Sequence, residues 1–236
     1  MNYKVGDTVT HKLYGVITLI EMLPKGKCIV EFESGFRREV VRGTFRNGRI
    51  RDLYFPSVLG IGVIGDKYKA HIGGKITSEY MHWAGMLHRC YSGRANVGKS
   101  YTNKTVSEDW FFLTNFGDWC QAQIGFGNKG WNLDKDLLLK GNTEYSADSC
   151  VFLPQAINNA LPRNMGNNLI LPNCVGLMES GRYQVPAGNK TRVFDTLEEA
   201  KSFYENSRKD RLKSLAVKYK DVIDPRAYIA LESIFT

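Results

Sequence analysis

At 236 residues, with 43% hydrophobic and 12% aromatic content, the chain can bury one sizeable core or several small ones, and it is too apolar for a disordered segment. Its 32 Lys and Arg against 24 Asp and Glu leave a formal charge of +8, which favours a polyanionic partner because a cation set on a phosphate releases a condensed counterion. Cysteines stand singly at 28, 90, 120, 150 and 174, which argues against a disulfide scaffold or a zinc knuckle.

In chain order, residues 1–66 predict a small β-barrel-like domain. Short β-branched runs (Val9, Val16-Ile17, Ile29-Val30, Val40-Val41) alternate with turn signals at Pro24-Lys25-Gly26, Ser34-Gly35 and Asn47-Gly48. Asn47-Gly48 reads as a hairpin, since both turn positions need positive φ. Arg37, Arg38, Arg42, Arg46, Arg49 and Arg51 face one acid, Glu39, across this stretch. Such a cationic ribbon suits a phosphate backbone; the plainer reading is a solvated edge hairpin.

The period then changes. Ser78 is placed to cap a helix carrying Trp83, Met86, Leu87 and Cys90, and Ser107 to open a second with Glu108 and Asp109 in its first turn. The second helix's stripe of Trp110, Leu113, Phe116 and Trp119 is expected in a core. Residues 92–105 and 162–168 read as polar loops. Two strands flank Ser180-Gly181, and a third ends at Arg192-Val193-Phe194. Thr196 with Glu199 forms a capping box for a helix running towards Tyr219, and Asp224-Pro225 starts a short final helix. The fold class expected is α+β. The segments are 1–66, 78–165 and 170–236.

Several motifs occur in an order that resembles the HNH homing-endonuclease families common in phage genomes. They are Trp83-x-x-Met86-Leu87-x-Arg89-Cys90-Tyr91, Val106-x-x-x-Trp110, Asn115-Phe116-x-x-Trp119, Leu133-Asp134-Lys135-Asp136, Gly141-Asn142, Tyr145-Ser146 and Cys150-Val151-Phe152. Gly181-Arg182-Tyr183 with Phe194-Asp195-Thr196 resembles the plant ethylene-response-factor DNA-binding module, a three-stranded sheet packed on a helix.

The resemblance implies a ββα-metal centre for hydrolysis of double-stranded DNA. Asp134 and Asp136 would be magnesium ligands, and Asn142 a further ligand or an orienter of the hairpin. Lys135 stands where the family's catalytic histidine usually follows the aspartate. Ser149 and Val151 replace a common asparagine and arginine. Lysine is ordinarily protonated at neutral pH and makes a poor base, so the centre reads as degenerate, although His82 or His88 can be imagined reaching in from the preceding helix. A plainer reading of Asp134-Lys135-Asp136 is a strand-end turn with solvated charges.

Arg89 joins the candidate DNA contacts. In the C-terminal module Arg182, Gln184, Lys190 and Arg192 are expected to face DNA, with Tyr183 and Val185 turned back onto Phe203. The alternatives are a DNA-binding protein that has lost cleavage and a phage-encoded inhibitor that binds a host protein. The start of the chain has no apolar core for a signal peptide, and no apolar run approaches the roughly 18 residues that span a bilayer. A protein of the bacterial host's cytoplasm, without a membrane partner, is expected.

Overall fold

The computed structural model describes residues 3–93, 103–161, 175–187 and 190–235. The middle of the predicted 92–105 loop, the 162–168 loop and Cys174 lie outside them. The chain divides into two compact units, Met1–Tyr91 with Glu108–Asp118, and Ser92–Ser107 with Trp119–Thr236. Helices mix with several small sheets, as the α+β expectation requires. No described helix is long and apolar enough to cross a membrane.

The first unit opens with an antiparallel meander of β1 (Thr8–His11), β2 (Gly15–Leu23), β3 (Lys27–Phe32) and β4 (Arg37–Val41), in that spatial order. In this pairing β1 and β4 are the edges. Alternation puts Ile17, Leu19, Cys28, Val30 and Phe32 on one face, where they bury with Phe45 and Ile50. Asn47-Gly48 is not a hairpin. It ends the short helix α1 (Arg42–Arg46): Asn47 N–H donates to Gly43 O, Gly48 N–H donates to Phe45 O, and Gly48 has φ +61°. A helix C-cap needs positive φ as much as a hairpin turn does, so the dipeptide alone does not separate the two.

Between Lys67 and Ser78 lies a hairpin of β5 (His71–Ile72) and β6 (Lys75–Ile76). Helix α2 (Ser78–Tyr91) follows and buries Trp83, Met86 and Leu87. Its cap is Thr77 rather than Ser78, since Thr77 O accepts from Met81 N–H and its Oγ1 from Tyr80 N–H at 3.4 Å. Ser107 opens no continuous helix. A 3-10 turn, Glu108–Phe111, precedes α3 (Leu113–Gln121). The break arises because Phe111 O and Leu113 N–H bond to Val63, which takes that backbone out of the helical ladder. Trp110, Leu113 and Phe116 are buried as predicted, and the Trp83 indole N–H donates to Trp110 O at 2.7 Å.

In the second unit β7 (Thr105–Val106) pairs in parallel with β9 (Glu144–Tyr145). Strand β8 (Trp131–Asp134) pairs antiparallel with β10 (Val151–Pro154), which runs directly into α4 (Gln155–Ala160). A three-stranded antiparallel sheet, β11 (Gly176–Leu177), β12 (Tyr183–Ala187) and β13 (Lys190–Phe194), precedes α5 (Leu197–Tyr219) and α6 (Pro225–Glu232). The Thr196–Glu199 capping box forms as predicted, and Asp224 caps α6. One core joins β10 and α4 to the later part of α5 and to α6 through Val151, Leu153, Ile157, Leu212, Ala216 and Leu231. A smaller one holds Val185 and Ala200 with Tyr183, Phe194 and Phe203 around them.

Candidate nucleic-acid interface and ββα centre

The order β8, β10, α4 makes a ββα unit, and Asp134 ends its first strand opposite Val151. Asp134 is 8% exposed. Its Oδ1 accepts from Asp136 N–H at 3.0 Å and from Leu137 N–H at 2.8 Å, so the carboxylate closes an Asx turn. Burial pushes this carboxyl above the usual carboxylate range, and the two N–H groups pull it part of the way back.

Lys135 is only 3% exposed, with its Nζ 2.5 Å from Asp136 Oδ1 and 5.5 Å from the centroid of the Tyr145 ring. The turn is therefore the one the plainer reading expected, but Asp134 and Lys135 are not solvated. Asn142 is spent on backbone: its amide donates to Lys135 O at 2.8 Å and to Glu144 O at 2.6 Å, and its Oδ1 accepts from Glu144 N–H at 3.2 Å. Lys104 Nζ donates to Asn142 O at 2.9 Å. Ser149 is buried and donates to Glu144 O at 2.8 Å. The adjacent Cys150 thiol is pushed up to about 12, chiefly by burial, so it is a packed thiol rather than a nucleophile.

These donors do not fit a magnesium ion. One oxygen of Asp134 already holds two N–H groups, Asp136 is bound to the Lys135 ammonium, and Asn142 has committed its amide. A dication would have to share the space with a buried cation. His82 and His88 lie on α2, in the first unit. Burial, and then the charge of half-buried Arg89, hold the His82 imidazole below its ordinary range.

The six arginines of 37–51 do not form one ribbon. Arg37 faces outward with its Nε 2.8 Å from Glu31, and Lys27 takes Glu39 at 2.5 Å on the same face. Arg42 donates to Leu23 O at 3.3 Å and is partly buried. Arg46 is exposed in the last turn of α1. Arg38, Arg49 and Arg51 instead line one open groove together with Thr44 and Glu39. Arg38 Nη1 donates to Arg51 O at 3.3 Å, and none of the three has a carboxylate partner among the described residues. Thr44 is a polar lining residue that the charge pattern did not single out; its one signal was its place between Arg42 and Arg46.

The C-terminal sheet corrects the predicted face. Register pairs Val185 with Arg192, Gln184 with Val193, and Ala187 with Lys190. Directly opposed residues share a face, so Lys190 and Arg192 lie on the side of Val185 and α5. The Arg192 guanidinium sits 5.8 Å from the Phe203 ring centroid. Only Gln184 among the three strand residues faces outward, beside Pro186, Thr191 and Val193. Arg182 is held by Asp195 at 2.7 Å. The outer face is therefore close to neutral.

Compared with known proteins, the chain matches no family model, no curated protein and no solved structure.

Proposed function

We propose that this chain binds double-stranded DNA, and that its ββα unit serves as an internal brace rather than as a metal-dependent nuclease centre. The observation that carries the reading is the convergence of Arg38, Arg49 and Arg51 on one groove, free of carboxylate partners among the described residues. Guanidinium groups present several N–H donors in a fixed plane and suit phosphate oxygens. Glu39, the acid in the groove, is already tied to Lys27.

A specific observation favours the second reading, an HNH-type endonuclease: a carboxylate, Asp134, ends the first strand of a β8–β10–α4 unit. One pair of assays separates the two. A short labelled duplex is titrated with the protein, and supercoiled plasmid is incubated with protein and magnesium. Binding without nicking supports the DNA-binding reading. Nicking that disappears in Asp134→Ala overturns the brace and selects the endonuclease.

A further inference from the structure

The hairpin β5–β6 presents isoleucines to solvent: Ile72 is 65% and Ile76 50% exposed. Two-stranded hairpins are marginal in water, and Ile72, beside the turn, is the more exposed of the two. The register pairs Ile72 with Lys75 on one face and His71 with Ile76 on the other. The His71 ring lies 6.1 Å from the Tyr80 ring on α2. That contact turns the His71 face towards the helix and the Ile72–Lys75 face away from it.

The finger is held firmly at its base. Gly73 and Gly74 have φ +58° and +77°, as a two-residue type I′ turn demands. Thr77 N–H donates to Ala70 O at 3.1 Å and its hydroxyl donates to Lys69 O at 2.7 Å, while the same residue caps α2. Upstream, Asp118 on α3 holds Lys67 at 2.5 Å and accepts from the Tyr68 hydroxyl at 2.7 Å. Gly117 lets the Tyr68 ring sit against α3, since a Cβ there would stand 2.6 Å from the ring.

No acidic residue stands between Lys67 and Ser78. Asp118 neutralises Lys67, whereas Lys69 and Lys75 have no carboxylate partner among the described residues. Asp66 accepts from the Tyr54 hydroxyl, and Glu79 lies in the first turn of α2.

We infer that this hairpin is a DNA-kinking finger: Ile72 wedges between adjacent base pairs of the bound duplex while Lys69 and Lys75 take the flanking phosphates. An apolar wedge partly unstacks a base step, and the resulting kink is repaid by the extra contacts it allows. The charge pattern fits this occupant, because a single aliphatic tip bracketed by cations matches the apolar faces of stacked bases lying between two phosphate strands. The inference rests on the DNA-binding reading.

The test uses the full chain and a duplex rich in TA steps, which unstack most easily. The duplex carries 2-aminopurine at those steps and a fluorophore pair at its ends. Binding of the wild-type protein should raise 2-aminopurine fluorescence and shorten the end-to-end distance. Ile72→Ala should abolish both signals while weakening binding by less than about tenfold, and Ile72→Leu should retain them. Because Ile72 is exposed, an unchanged melting curve for these variants is expected and confirms that they fold. Wild-type binding with no change in either signal overturns the finger and leaves DNA binding standing. No duplex binding at all overturns both. Ile72-dependent capture by anionic phosphatidylserine vesicles, without unstacking of DNA, assigns the hairpin to lipid and also overturns the finger.

Discussion

The Lys135 ammonium lies 2.5 Å from the Asp136 carboxylate and is almost wholly buried, while its partner remains half exposed. The asymmetry decides how the site responds to substitution. Asp136 can return to water when it loses its partner, whereas a second negative charge at position 135 cannot.

Lys135→Met is therefore expected to keep stability within about 1 kcal/mol of the wild type, since apolar replacement of a buried ion often breaks even. Lys135→Glu should cost roughly 3 kcal/mol or more, because it buries an unpaired charge beside Asp134. Urea denaturation of both variants checks this; a Met variant as damaged as the Glu variant would count against the brace.

Asp134 gives a pH-dependent prediction. Burial raises its folded-state pKa above the unfolded value. Its contribution is thus fully present below the unfolded pKa, about 3.9, and is lost as pH rises through the folded value. Asp134→Asn keeps an oxygen for Asp136 N–H and Leu137 N–H but removes the buried charge. The variant should be at least as stable as wild type at neutral pH, with the difference closing as pH falls towards the unfolded pKa. Denaturation curves at the two ends of that range read it directly.

Arg208 on α5 secures the end of α4. Its Nε donates to Ala160 O at 2.8 Å, and its Nη2 donates to Leu161 O. Arg208→Ala leaves these carbonyls without that donor and should cost about 1–3 kcal/mol. Arg208→Lys should recover part of it, since an ammonium lacks the planar fork. Hydrogen exchange should show the loss concentrated in α4 and the end of α5.

Much of the fold was legible. Short β-branched runs between turn signals announced β1 to β4, the Thr196–Glu199 box announced α5, and Asp224-Pro225 announced α6, because each signal is local. The failures have physical causes. Arg192 was assigned to the outer face because alternation within one strand does not fix its phase against a neighbour; the pairing of Tyr183 with Phe194 does. Asn47-Gly48 caps α1 because positive φ serves two kinds of turn. The His71–Ile76 hairpin had a signal in Gly73-Gly74, but its strands are two residues each and show no period.

In the ββα unit Asp134 and Asn142 were picked out from the sequence, yet the burial of Lys135 was not, since lysine is almost never buried. The grouping of Arg38, Arg49 and Arg51 was hidden for another reason: α1 intervenes between them, while Arg37 takes the opposite face of β4 and Arg42 turns back onto Leu23 O.

Salt dependence of duplex binding tests the central claim most directly. The wild-type chain should show log K falling linearly with log salt. Combined Arg38→Gln, Arg49→Gln and Arg51→Gln substitutions should flatten the slope by up to about 0.9 for each phosphate contact removed. A wild type with no salt-sensitive affinity for duplex, or a triple variant with an unchanged slope, would contradict the account.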